Sequence, residues 1–341
     1  MSIELTQELK DKYTEFWRGN GVVLYLRTPN VMPKDSDRNR QWLDVDFRAE
    51  KEISQIRNAS FFADAFGSIF TNFGPGSLSS YIGGGFVPLE DTVWFDHSPI
   101  ITDWENLPDL SLKEDEPLWH ATRELTKRLC GEPDFYTSIA DIGGTLDIAA
   151  SLRGAQDILF DLYDYPQEVL DLARNIRRIW KDVYTRLSEY LLSQKDGMTS
   201  WMPIWCPGRY SPLQCDLSAM FSTDMFEEFV MPDLMDLTEF LDYSIYHLDG
   251  VGEIPHLDHI LSIQKLNAVQ WTAGAGKPDV TDECWFDMYD KIMNAGKGLA
   301  LFTDQPEKLR PLLRHVSHHG LYIYSDKVTP DLAEEIMKWA K

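Results

Sequence analysis

Short apolar runs alternate along most of the chain with longer segments in which apolar residues recur three and four positions apart. The runs are typical of buried β-strands, and the longer segments are typical of amphipathic helices. Strands are predicted at Val22–Leu26, Ser68–Phe73, Phe135–Ala140, within Met198–Asp216, and at Ser244–Gly250, Leu266–Trp271, Gly298–Asp304 and Gly320–Asp326. Helical segments separate them, the clearest being Glu4–Trp17, Asp44–Arg57, Glu116–Leu129, Gln167–Gln194 and Ser222 to about Leu241.

Polar residues recur where the predicted strands end. In a (β/α)8 barrel the carboxyl ends of all strands surround one pocket, so polar side chains collect at these positions. The pattern therefore predicts an α/β fold, with a single (β/α)8 TIM barrel over residues 1–341, and a doubly wound sheet is the alternative. The strand-end residues are Arg27, Asn72, Asp141, Asp216, His247 with Asp249, Gln270, Asp304 and Asp326.

Residues 81–117 have a different character from the rest of the chain. They contain three consecutive glycines and several prolines and show little helical periodicity. Long irregular segments in compact domains are often functional, so this segment is predicted to form a lid over one end of the fold. An edge hairpin that supports the core is the other reading.

The composition limits the classes of partner. With 43% hydrophobic residues in 341, the chain can bury one large core. Its 32 Lys and Arg against 55 Asp and Glu give a net charge of -23, which disfavours nucleic acid and anionic membranes. There is no signal-peptide pattern and no apolar run long enough to span a bilayer, so a cytoplasmic protein is expected. We expect it to be a monomer or a homodimer.

The four cysteines, Cys130, Cys206, Cys215 and Cys284, form no Cys-x-x-Cys pair. A chain of this length does not depend on disulfides, so they are expected to be reduced thiols. Cys206 and Cys215 lie in a segment rich in Trp and Pro and remain candidates for a site.

The most informative stretch is Ser244–Gly250, an apolar strand that ends in His247 and Asp249. Alternate residues of a strand face the same side, so these two side chains converge at its carboxyl end. Asp216 ends the preceding predicted strand. The three residues are candidates for catalysis, although an Asp that only holds a His in a loop would give the same pattern.

Two segments resemble the uroporphyrinogen decarboxylase-like superfamily, which includes the decarboxylase and zinc-dependent methyltransferases that serve cobalamin or coenzyme thiols. Ser222–Pro232 resembles that family's Ser-Pro-Glu-x-Phe-x-x-Phe-x-x-Pro helix after the fourth strand. Tyr246–Gly250 resembles its His-any-Cys-Gly at the end of the fifth strand. Leu146–Tyr165 and Thr329–Pro330 are supporting matches. The resemblance implies a TIM barrel of the uroporphyrinogen decarboxylase type.

Departures from the family narrow the function that the resemblance implies. The decarboxylases carry an Arg-Gln-Ala-Gly-Arg run after the first strand to hold the substrate's carboxylates, and only Arg27 stands there in this chain. In the methyltransferase branch, zinc is held by a His and a Cys at the fifth strand and a Cys near the eighth. Here His247 keeps the first position, Asp249 replaces the second, and Ser325–Asp326 lies near the third. Cys215 is an additional candidate ligand that does not correspond to a family position.

The leading hypothesis is a metal-dependent methyltransferase-like enzyme that acts on a small methylated substrate. Zinc would be held by His247, Asp249 and Cys215, and the resemblance implies a corrinoid protein as the methyl partner. The substrate is expected to contact an apolar wall, a basic residue that orients a carboxylate, and polar strand ends. The residues assigned to these contacts are Trp205, Tyr246 and Trp271, then Arg27 or Arg209, then Gln214 and Gln270.

Two other functions remain open at this stage. One is a metal-independent decarboxylase or lyase on a small carboxylic acid other than uroporphyrinogen. In that enzyme Asp216 or Asp249 would be the general acid and His247 its hydrogen-bonded partner. The other is a non-catalytic barrel that binds an apolar ligand or a partner.

Overall fold

The computed structural model describes residues 4–29, 37–95, 99–316 and 320–340. The strands in these residues are β1 (Val22–Arg27), β2 (Phe61–Ala63), β3 (Ser68–Ile69), β4 (Val87–Pro88), β5 (Val93–Trp94), β6 (Tyr136–Thr137), β7 (Tyr210–Leu213), β8 (Tyr243–Asp249), β9 (Ala268–Thr272), β10 (Gly298–Phe302) and β11 (Leu321–Ser325). The helices of the first half are α1 (Gln7–Trp17), α2 (Arg38–Leu43), α3 (Val45–Asn58), α4 (Leu78–Tyr81), α5 (Pro117–Cys130), α6 (Thr145–Arg153) and α7 (Ala155–Asp164). Those of the second half are α8 (Pro166–Gln194), α9 (Thr223–Phe229), α10 (Met231–Phe240), α11 (Leu257–Ser262), α12 (Phe286–Asn294), α13 (Leu309–His315) and α14 (Pro330–Trp339).

The central sheet is mostly parallel. Its strand order is β2-β1-β11-β10-β9-β8-β7, and only β2 runs antiparallel to its neighbour, β1. Helices lie between successive parallel strands, as parallel pairing requires. The α/β class predicted from the alternation of strands and helices is confirmed.

A second arc of parallel pairing consists of β3, β6 and Thr199. β3 pairs with β6, and Ser138 forms an isolated parallel bridge with Thr199. The pairings among the described residues therefore make two arcs and no closed ring. Side chains connect them at one edge, where the Tyr25 hydroxyl of β1 donates to the Phe66 carbonyl just before β3.

Several helix boundaries follow directly from the sequence. The predicted helices near residues 4–17, 44–57 and 167–194 correspond to α1, α3 and α8, and Thr6 and Asp44 cap the first two with their side chains. The segment from Ser222 to Leu241 is two helices, which meet at Val230. Pro232 lies in the first turn of α10, where its missing N–H costs least, so the break falls just before it.

The segment 81–117 contains the antiparallel hairpin β4–β5, and its residues 96–98 lie outside the described residues. The Trp42 indole donates to the Leu89 carbonyl in the hairpin loop, and Val93, Phe95 and Ile101 are buried. The hairpin is thus anchored to the core. A role as a lid stays a prediction.

The two faces of β8 have different environments because successive side chains alternate. Tyr246 and Leu248 are fully buried, and the Tyr246 ring contacts Phe226 of α9. His247 and Asp249, on the opposite face, are only partly buried. One face of the strand thus belongs to the core and the other to a pocket.

In the part of the chain that is described, no helix has the length and apolar character needed to cross a membrane.

Candidate functional site

Three side chains that the sequence analysis selected for catalysis converge at the carboxyl end of the sheet. His247 and Asp249 lie at the end of β8, and Asp216 begins the turn three residues beyond the end of β7. One ligand atom from each, an imidazole nitrogen and two carboxylate oxygens, lies within 4.8 Å of the other two. A divalent cation accepts these donor types together.

Gln270 fixes the orientation of the His247 ring. Residues His247 and Gln270 are register partners on adjacent strands, and His247 Nδ1 is hydrogen-bonded to Gln270 Oε1. The Gln270 amide nitrogen donates to the Trp271 carbonyl at 2.8 Å and to Thr272 Oγ1 at 2.9 Å. A backbone carbonyl can only accept, so the amide oxygen must face His247 and Nδ1 must carry the proton. The lone pair of Nε2 is therefore free to bind a metal.

Trp201 covers the other side of this imidazole. Its ring meets the His247 ring edge-on, with centroids 5.2 Å apart, and also contacts Phe302 at 5.7 Å. An aromatic edge at this position shields the imidazole from water and restricts its rotation. The sequence analysis placed Trp201 in a segment of interest without assigning it to the site.

Asp147 holds the loop that carries Asp216. Its carboxylate oxygens accept hydrogen bonds from the backbone N–H groups of Asp216 at 3.2 Å and of Leu217 at 3.0 Å. Burial and the neighbouring Asp216 raise the pKa of Asp147 to about 7. Desolvation also raises the pKa of Asp216, with Asp249 adding to the effect and His247 opposing it. Burial raises the pKa of Asp141, which caps the Gly143 N–H, to about 6.

Desolvation by burial is the largest cause of these raised carboxyl pKa values, and repulsion from Asp216 adds to the rise for Asp141 and Asp147. A bound cation relieves that repulsion. Asp147 was missed as a site residue, and its sequence signal was an acid in the first turn of the helix after Gly143–Gly144.

Glu253 lies behind the site, on the helix side of β8. It is fully buried, and its Oε2 accepts a hydrogen bond from the Tyr246 hydroxyl at 3.1 Å. No side chain or backbone group of the described residues reaches Oε1. Burial, with the nearby Asp216 charge, raises the pKa of Glu253 to about 9, so this carboxyl is protonated at neutral pH.

Two cavities flank the cluster. The Arg27 cavity, about 300 Å³, is lined by residues that include Arg27, Glu52, Asn72, Trp201 and Tyr324. The Trp94 cavity, about 350 Å³, is lined by residues that include Trp94, Phe95, Asp147, Gln214, Asp216 and Met220. Asp216 borders the second cavity directly, and Trp201 separates His247 from the first. Both volumes suit a small molecule.

Of the predicted substrate contacts, Arg27, Gln214 and Gln270 lie at or beside this site. Arg27 lines its cavity and pairs with Asp326 at 3.5 Å. Gln214 lines the Trp94 cavity. Gln270 acts on His247.

Tyr246 and Trp271 point away from the site, into the helix layer. Trp271 is fully buried against Trp285, with ring centroids 5.1 Å apart. Tyr246 precedes His247, and Trp271 follows Gln270. Because His247 and Gln270 face inward, alternation along each strand turns their neighbours outward. They support the site from behind and do not line it.

Trp205 and Arg209 lie at the opposite end of the sheet. Trp205 accepts a hydrogen bond on its carbonyl from the Trp17 indole, and Trp17 contacts Tyr243 at the start of β8. The Arg209 N–H and side chain bind Asp242, just before that strand. Because β8 has seven residues, its two ends are about 20 Å apart. Neither residue can orient a substrate at His247.

The proposed ligand Cys215 is buried, and burial raises the pKa of its thiol well above the usual value. Among the described residues, the metal-ligating cluster consists of Asp216, His247 and Asp249 and does not include this thiol. The neighbouring residue, Asp216, occupies the position that the sequence analysis gave to Cys215.

Comparisons with known proteins show a similarity at the level of structure. No family model and no curated protein sequence matches the chain. Its structure is similar to that of a methyltransferase from Methanosarcina mazei, with a TM-score of 0.60 and 10% sequence identity. The match covers 99% of this chain and 91% of that one. Over its whole length, the chain therefore shares the overall fold of that methyltransferase.

Proposed function

We propose that this protein is a metal-dependent methyltransferase-like enzyme that acts on a small methylated substrate. The observation that carries the proposal is the convergence of Asp216, His247 and Asp249 at the carboxyl end of a sheet in a methyltransferase fold. Active sites of parallel α/β folds lie at this end of the strands. Two flanking cavities provide space for a small substrate.

The donor set fits zinc or another divalent transition metal. One imidazole nitrogen and two carboxylates supply three protein ligands, and catalytic zinc sites keep a fourth position for water or substrate. A metal bound there acts as a Lewis acid that polarises a methyl-bearing group or lowers the pKa of a thiol. Compared with a site of two cysteines and one histidine, carboxylates make the metal harder.

The chain's own groups prepare the site for that chemistry. Gln270 holds the His247 proton on Nδ1, and Asp147 fixes the backbone of Asp216 through two hydrogen bonds. Trp201 excludes water from the edge of the imidazole. These contacts pre-organise the ligands, which is where a protein contributes most to a metal site.

The proposal also covers the protein family, the closure of the two arcs into a barrel, and the methyl partner. The two arcs of parallel strands are consistent with a (β/α)8 barrel of the uroporphyrinogen decarboxylase type, closed by contacts such as that of Tyr25 with Phe66. A corrinoid protein is the methyl partner that the sequence resemblance implies. Such a partner would reach the substrate from the solvent-exposed side of Asp216, which borders the Trp94 cavity.

Metal binding tests the proposal directly. Protein without a His tag, first stripped of metal, is titrated with zinc alongside His247→Ala, Asp216→Asn and Asp249→Asn. We expect about one zinc ion per chain in the unaltered protein and much weaker binding in each variant. Cys215→Ser is the matched control, and it should bind zinc normally because its thiol lies outside the cluster.

Transfer activity is then measured with methyl donors and a free corrinoid, with and without chelator. Activity that disappears with the metal supports the proposal. A protein that binds no zinc or other transition metal, or a turnover that chelator leaves unchanged, would sink it. Carboxy-lyase chemistry on acid–base groups would then be the remaining enzymatic reading.

A further inference from the structure

The Trp94 cavity has an apolar wall and an exposed aromatic at its mouth. Leu217 and Phe95 contribute buried surface to it, whereas Trp94 and Met220 are 47% and 60% exposed. An exposed aromatic ring at the rim of a concave site is available to contact a bound ligand. Its volume of about 350 Å³ limits the ligand to a small molecule.

The charged side chains among the described lining residues of this cavity are of one sign. Its described lining includes the carboxylates of Asp147 and Asp216, and none of the described lining residues is Lys, Arg or His. The Arg27 cavity differs, because Arg27 and Glu52 contribute both signs there. A ligand in the Trp94 cavity therefore meets aromatic rings and negative charge together, and an anionic ligand would be repelled.

We propose that the Trp94 cavity binds a small methylated onium cation, in which a positively charged nitrogen or sulfur carries methyl groups. Such a cation has an apolar outer surface and a positive charge, so it suits aromatic faces and carboxylates at once. The inference rests on the proposed function, because it identifies the methyl donor of that reaction.

Two glycines form part of the cavity lining. Gly76 and Gly143 both have positive φ, and a Cβ on Gly143 would lie only 2.5 Å from the Gly76 Cα. No side chain can extend from Gly143 without moving this backbone. The two glycines therefore let the backbone segments on this side of the cavity pack closely against each other.

Charge balance agrees with a cationic donor. A divalent metal on Asp216 and Asp249 would neutralise those two carboxylates, and the ionised form of Asp147 would then remain to attract the ligand. During transfer, the bond from the methyl carbon to the onium atom breaks with its electron pair on nitrogen or sulfur, which leaves as a neutral amine or thioether. The methyl carbon forms its new bond to the lone pair of a nucleophile, a thiolate or a reduced corrinoid.

Calorimetric titration with choline and with its neutral isostere, 3,3-dimethylbutan-1-ol, tests the proposal. The two probes have the same shape and differ in charge, so apolar burial alone would make them bind equally. We expect choline to bind at least about tenfold more tightly, on the scale of a desolvated cation–π contact with added carboxylate attraction. Equal binding of the two probes, or no binding of choline, would overturn the inference.

Variants locate the binding site. Trp94→Ala should weaken choline binding about tenfold, while Tyr163→Ala, which removes a 74% exposed aromatic outside the cavity, should not. Ser151 lines the cavity, so Ser151→Lys should abolish choline binding, and Ser151→Met controls for the added length. Thermal unfolding checks that each variant is folded. Choline binding that survives both Trp94→Ala and Ser151→Lys would contradict the assignment.

The same titrations are run with metal-free and zinc-loaded protein. If zinc binds but choline does not, the cation site is refuted and the proposed function stands. If choline binds but zinc does not, the cavity is a cation site, and the metal-dependent methyl transfer is refuted.

Discussion

Replacing Gln270 by leucine should weaken metal binding without removing any metal ligand. Gln270 is fully buried, and its amide group is held by the Trp271 carbonyl and Thr272 while its oxygen accepts the His247 Nδ1 proton. Leucine has similar volume but no acceptor. In Gln270→Leu the imidazole therefore loses the contact that selects its tautomer and its ring orientation.

The expected loss of zinc affinity follows from the imidazole states that become accessible in Gln270→Leu. Two ring orientations and two tautomers leave about one state in four competent to present Nε2, which lowers the apparent affinity about fourfold, or about 0.8 kcal/mol. Loss of the hydrogen bond also makes the imidazole a weaker donor to the metal. Together the reduction should fall within the range of about 10- to 100-fold found for such supporting contacts.

Competition between the protein and a chromophoric chelator measures zinc affinity at fixed pH and ionic strength. Gln270→Glu is the matched variant, because its carboxylate still accepts the Nδ1 proton, and it should bind zinc at least as tightly as the unaltered protein. Chemical unfolding of the metal-free variants separates stability from affinity. Unchanged zinc affinity in Gln270→Leu, or equal weakening in both variants, would refute the role assigned to Gln270.

Three further outcomes test the placement of residues around the site. Trp271→Phe should lower the free energy of unfolding by about 1–3 kcal/mol, because the buried indole packs on Trp285. It should leave zinc affinity unchanged. A loss of zinc binding would contradict the outward direction of the Trp271 side chain. Arg209→Ala should change stability by less than about 1 kcal/mol, since its pair with Asp242 is partly exposed, and should not alter KM in a transfer assay. The pKa of Glu253 rises on folding from 4.5 to about 9, so its contribution to stability is lost as pH increases through that range. Glu253→Gln should flatten this slope in unfolding measurements at several pH values, and an unchanged slope would assign it to other groups.

The residues at the end of β8 could be predicted from the sequence because the rule involved is local. His247 and Asp249 are two positions apart on one strand, so they share a face wherever that strand lies. The same rule turns Tyr246 to the helix side, and applied strictly it would have removed Tyr246 and Trp271 from the predicted pocket wall. Their aromatic character suggested a substrate contact that the alternation forbids.

The errors around the fourth predicted strand have a different origin. Met198 and Cys206 form an antiparallel bridge, so the chain reverses there and carries Trp205 and Arg209 back to the amino end of the sheet. A Trp- and Pro-rich stretch gives no local signal for the position of that reversal. The cluster contains Asp216 where the sequence analysis predicted Cys215. This difference likewise depends on the backbone of one turn, which Asp147 fixes from another helix.

The sequence by itself determined the α/β class, the position of most helices and strands, and the pairing of His247 with Asp249 on one strand face. These features depend on periodicity and on capping residues such as Asp44, which act over a few positions. Only the tertiary structure decided that Asp216 joins them, that Gln270 sets the tautomer, and that Asp147 and Trp94 border one cavity. Each of these depends on contacts between residues 23 or more positions apart, and no local preference encodes such contacts.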